Sequence, residues 1–188
     1  MIKAMLVKSG KKPWCNWRFK DAKNYIFSLQ KTRKKSIPNY QKTQKVLLVG
    51  LVKHWEQMQE YTKFLREKQK IPQVSTAVFL SDTKEEKICQ KAHFLFYPKQ
   101  LRFWNKCLKK SALDKLDQEN FDLLVDFSST FDLAIKCVVA KSSASSKVGI
   151  LQEDWKSLYD FCIELPEEQN KDFIYWLNHF IDQINNKS

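Results

Sequence analysis

The residues best placed to do chemistry follow two apolar runs. KVLLVG ends at Gly50 and leads into Lys53 and His54, while FDLLVD ends at Asp126 and leads into Ser128, Ser129 and Thr130. If the runs are strands of an open α/β sheet, these residues stand at carboxyl ends, where helix N-termini offer unpaired N–H groups to a small anion. Asp126 and His54 would suit an acid–base pair across neighbouring strand ends. No nucleophile accompanies them, so no catalytic residue is assigned. The hydroxyls of Ser128, Ser129 and Thr130 serve equally as N-caps of the helix that follows, and Asp126 as an acceptor for backbone amides. The chain has three glycines, Gly10, Gly50 and Gly149, which leaves neither a Walker loop nor GxGxxG and disfavours a tightly wrapped pyrophosphate.

The remaining reactive side chains are dispersed. His54, His93 and His179 fall on separate elements, and five cysteines (Cys15, Cys89, Cys107, Cys137, Cys162) include no CxxC. Neither a zinc site nor a disulfide framework is expected, and no cofactor is implied. Cys137 and Cys162 lie within helical and strand patterns and read as small core residues.

Charge gives the strongest functional signal. Residues 1–45 carry 13 Lys and Arg against one acid, Asp21, whereas the rest of the chain balances 20 basic residues with 20 acidic ones. The net charge of +12 therefore belongs to the N-terminal segment. There Lys11, Lys12, Arg18, Lys20, Lys31, Arg33, Lys34 and Lys35 are interleaved with Trp14 and Trp17, and with Phe19 and Tyr25. Cations that neutralise phosphates beside aromatic faces that stack on bases suit RNA, DNA or a ribosome surface. The same helix would equally dock its apolar stripe on the body and leave its lysines in water, and a basic helix with Trp and Phe would also suit an anionic membrane surface. No apolar run approaches the roughly 20 residues of a membrane span, so a reducing, cytoplasmic setting is expected.

These residues need a scaffold, and hydrophobic periodicity supplies one. Strands are predicted at Lys45–Val52, Ser75–Leu80, Ala92–Tyr97, Phe121–Phe127, Lys147–Leu151 and Leu158–Leu165. Between them helical spacing covers Trp55–Lys70, a short piece from Asp82, Ala112–Gln118, the stretch from Thr130 to Lys141, and Phe173–Ile184 after Pro166. Strands alternating with helices imply a three-layer, Rossmann-like, mostly parallel α/β domain over residues 45–188. A basic helix (Trp14–Gln30, apolar at Phe19, Ala22, Ile26 and Leu29) and a linker broken at Pro38 form the segment 1–44.

With the elements placed, FDLLVDF, AKSSASSKVGI, LYDFCIEL and the aromatic KQLRFWNK together resemble a family of short basic bacterial proteins classed as a domain of unknown function. That resemblance implies a Rossmann-like fold more than an activity. DLLVD, a helix and a small-residue turn into KVG are also similar to part of the N-terminal half of heptosyltransferase-like glycosyltransferases, whose nucleotide-sugar site lies largely in a second half. The expectation is a non-enzymatic binding protein that contacts nucleic acid or a ribonucleoprotein. A nucleotide- or sugar-binding relative of a glycosyltransferase half-domain is the first alternative. A protein-interaction module, using the aromatic stretch Arg102–Trp104, is the second.

Overall fold

The computed structural model describes residues 13–103, 105–128, 132–165 and 172–185. Helix α1 (Pro13–Ser28) precedes β1 (Lys45–Leu51), α2 (Trp55–Glu67), β2 (Gln73–Phe79), β3 (Phe94–Phe96), α3 (Lys110–Asp117), β4 (Leu123–Asp126), α4 (Leu133–Lys141), β5 (Ser146–Ile150), β6 (Phe161–Ile163) and α5 (Phe173–Asn185). All six predicted strands form, and they pair in parallel in the order β3-β2-β1-β4-β5-β6. This is the order of a doubly wound, Rossmann-like sheet, and its direction of growth reverses between β1 and β4.

The strands read as continuous apolar runs because both faces are covered. Along β1, Leu47 and Val49 face a core shared with α1, α3 and α4, while Val46 and Leu48 face a second core shared with α2 and α5. Units β1-α2-β2 and β4-α4-β5 wind away from the centre in opposite directions, which places α2 and α4 on opposite faces. Helix α2 buries Met58, Tyr61 and Leu65 at helical spacing. It stops where Lys70 takes a left-handed conformation (φ 56°) ahead of Pro72.

Helix α1 is seated on the body. Ala22 and Ile26 are fully buried, and Phe19 and Phe27 clasp the Trp155 ring at centroid distances of 6.0 and 5.9 Å. Tyr25 donates to the Leu108 carbonyl at 3.0 Å and carries the Arg102 guanidinium on its ring, 3.7 Å from the centroid. Burying Ile26 alone is worth about 1.5–3 kcal/mol, so the apolar stripe has a structural task.

One local expectation is corrected. The N-cap of α4 is Asp132, whose carboxylate accepts from the amides of Ala134 and Ile135 at 2.9 and 3.2 Å, and the helix begins at Leu133. Ser128 lies outside the cap, and Ser129 and Thr130 fall outside the described residues. Helix α4 also has no solvent face over Ala134–Ala140, all of which are buried, because α1, α3 and the sheet enclose it. Pro166, after which the closing helix is expected, lies outside the described residues.

Candidate functional site

Gly50, next to last in β1, and Asp126, last in β4, lie at the carboxyl ends of neighbouring strands at the reversal point. A Cβ on Gly50 would stand 2.9 Å from Met58 Sδ and 3.3 Å from His54. The missing side chain lets His54 fold back over the strand end, where its Nδ1 accepts the Leu51 N–H at 3.2 Å. That bond assigns the ring proton to Nε2. Burial, and then the Lys53 charge, push the His54 pKa down to about 4, against a smaller opposing pull from Asp126. The imidazole is neutral and almost enclosed, whereas Lys53 is exposed.

Asp126 has no exposed surface. Its Oδ1 accepts from the amide and hydroxyl of Ser128 at 2.7 and 2.6 Å, and its Oδ2 accepts from Lys136 Nζ at 2.9 Å and from the Tyr159 hydroxyl at 2.5 Å. Lys136 also donates to Tyr159 at 2.6 Å and to Ser128 Oγ at 3.4 Å. Burial, reinforced by Asp126, pushes the Tyr159 phenol well above its ordinary range, so it stays protonated. Gly149 makes room for it: a Cβ there would lie 2.6 Å from the Tyr159 ring. The two described glycines thus do one job each, under His54 and under Tyr159.

A carboxylate, an ammonium, a phenol and a hydroxyl within hydrogen-bond reach have the components of an acid–base site. Here they act on each other. Lys136 spends its three N–H donors inside the group, both Asp126 oxygens are doubly engaged, and Ser128 and Lys136 share the zero exposure of Asp126. The arrangement braces β4, α4 and the approach to β6 and presents no group to solvent. The negative Asp132 carboxylate already occupies the start of α4. A cleft of about 520 Å³ opens nearby, at the carboxyl ends of β1 to β3, with walls from Phe79, Leu80, Tyr97 and Leu101.

Lys136 and Tyr159 escaped the sequence reading. The signal for Lys136 was present, as one lysine inside the apolar LAIKCVVA. Tyr159 had none, because its link to Asp126 spans 33 residues. Cys137 is buried, and its hydrogen bond with Cys107, followed by burial, pushes the thiol up; burial does the same to Cys162. Among the described residues no three His, Cys, Asp or Glu side chains gather as a metal site.

The basic segment divides into two sets. On α1, Trp17 is 67% exposed, and Arg18 and Lys20 are exposed as well. After α1, Arg33 reaches the Ser145 carbonyl at 2.7 Å and Asp160 at 2.5 Å, and Lys35 pairs with Asp160 at 3.3 Å. Lys34 is exposed and Lys31 half-buried. Lys11 and Lys12 lie outside the described residues, as does the side chain of Trp14. A second unforeseen lysine, Lys147, is buried at the start of β5 and joins Lys31, Arg33 and Lys35 around a cleft of about 330 Å³.

A parallel six-stranded sheet in this order, with helices on both faces, defines a Rossmann-like α/β protein. Residues 18–184 match a family of unknown function, DUF6913, and the chain belongs to that family. No curated protein and no solved structure matches it. No described helix is long and apolar enough to cross a membrane.

Proposed function

We propose that this protein is a non-catalytic binding protein that engages single-stranded nucleic acid, free or in a ribonucleoprotein, through its basic N-terminal region. One observation carries the reading: with α1 docked through Ala22 and Ile26, Trp17, Arg18 and Lys20 stay exposed within one turn of the helix. An exposed indole between cations offers a stacking face beside phosphate partners. The reactive groups at the sheet centre, by contrast, are consumed by one another, which favours binding over catalysis. The buried, unbridged thiols Cys89, Cys107 and Cys137 suit a reducing, cytoplasmic setting.

The test is the salt dependence of oligoribonucleotide binding by the full chain and by Arg18→Ala/Lys20→Ala. Loss of two phosphate contacts lowers the log–log salt slope by about 1.4. Trp17→Ala weakens binding by about 1–3 kcal/mol if it stacks on a base. Unchanged affinity and slope in both variants overturn the reading. A second reading, a nucleotide- or sugar-binding relative of glycosyltransferase half-domains, is supported by the 520 Å³ cleft at the carboxyl edge and is tested by calorimetry with nucleotides and nucleotide sugars.

A further inference from the structure

We propose that the cleft between residues 30–35 and the amino ends of β5 and β6 is a phosphate-binding site, taking a phosphate group from a nucleic-acid backbone or from a small phosphorylated molecule. It deepens the reading above by naming a receiving site that the exposed face of α1 does not include.

Lys31, Arg33, Lys35 and Lys147 converge on a cleft of about 330 Å³, within the size range of small-ligand sites. One carboxylate, Asp160, meets Arg33 and Lys35 there. Its Oδ2 accepts from Arg33 at 2.5 Å and from the Lys147 amide at 2.9 Å, while its Oδ1 pairs with Lys35 at 3.3 Å. Arg33, Lys35 and Lys147 thus surround a single carboxylate, and two of the three are withdrawn from water: the Arg33 side chain is 9% exposed and Lys147 is 2% exposed. Buried positive charge in excess is a standing cost that a bound anion offsets.

Lys147 registers that excess. Its Nζ donates to the Val139 carbonyl at 2.6 Å and the Ala140 carbonyl at 3.5 Å, in the last turn of α4. Burial first, then the charges of Arg33 and Lys35, push its pKa down to about 7. An anion beside it reverses the last two effects. The exposed Lys35 ammonium and Ser157, both lining the cleft, suit the tetrahedral oxygens of phosphate.

The experiment uses the full-length chain, with a fluorescein-labelled oligouridylate followed by anisotropy and inorganic pyrophosphate followed by calorimetry. The variants are Ser157→Glu, which places an acid in the cleft, and Lys35→Ala, which removes a cation; both positions are exposed, and Lys35 is 68% so. The expected result is loss of oligouridylate affinity by about tenfold in Ser157→Glu and about threefold in Lys35→Ala. Pyrophosphate bound by the natural chain and not by Ser157→Glu, with no oligouridylate bound, upholds the cleft as a small-molecule site and ends the nucleic-acid reading. Oligouridylate binding that responds to Arg18→Ala/Lys20→Ala but to neither cleft variant overturns the cleft and leaves that reading intact. Binding of neither probe overturns both.

Discussion

Removing one member of the buried Asp126–Lys136 pair exposes what the sheet centre is for. In Lys136→Met a thioether replaces the ammonium, and Asp126 keeps only the Ser128 amide and hydroxyl and the Tyr159 hydroxyl as partners. Both charges are entirely without solvent contact, so water cannot take the place of the lost donor. Breaking a buried pair in this way costs about 3–5 kcal/mol. For a chain of this length that lowers the melting temperature by roughly 6–20 °C. Asp126→Asn removes the opposite charge and strands the ammonium, at a similar cost. The two losses do not add: with neither charge left to bury, Asp126→Asn/Lys136→Met recovers about 1–3 kcal/mol of coupling. Urea unfolding, followed by tryptophan fluorescence, measures all three variants. Single variants within about 1 kcal/mol of the natural chain would refute the reasoning, because charges so inert must be in water. Asp126 would then return as a candidate ligand contact.

Two further perturbations read other parts of the same framework. Gly149→Ala drives a Cβ to 2.6 Å from a Tyr159 ring held by its own hydroxyl, so overpacking costs about 1–3 kcal/mol. Gly50→Ala meets mainly the flexible Met58 thioether and costs less, and equal melting temperatures for the two variants would refute that distinction. For Lys147, the folded chain releases the proton near pH 7 and the unfolded chain near 10.5. Between those values the unfolded state binds more protons, so stability rises with pH, while below pH 7 both states are charged and the penalty stays constant. Chemical denaturation at pH 7 and pH 9.5 should show this gain in the natural chain and its loss in Lys147→Met. A gain of the same size in Lys147→Met would exclude Lys147 as its source.

Much of the architecture was legible because parallel α/β sheets write their burial directly into sequence. KVLLVGL and LLVD are apolar without alternation, and helices such as WEQMQEYTKFL repeat at three and four residues. Element boundaries were less legible. The seryl and threonyl hydroxyls after FDLLVDF carried good capping chemistry, yet the cap is Asp132, because where a helix begins depends on the length of loop that must cross the sheet end. Of the seven residues proposed for the strand ends, Gly50 and Asp126 lie at the carboxyl ends of adjacent strands, as the apolar runs implied. Their direction was not legible: Asp126 and Ser128 turn inward toward Lys136, and a period of two says which face a residue takes, not what it meets there.

The sequence by itself determined the class of fold, the placement of the positive charge and the absence of a glycine-rich phosphate loop, because each is a property of composition and local spacing. Only the tertiary structure decided which charges are available. It joined Asp126 to a tyrosine 33 residues away, set Arg33 on Asp160 across 127 residues, and left Trp17, Arg18 and Lys20 outside. Chain reversals of that length carry no local signature, and the strength of a charge depends on whether water or another side chain surrounds it.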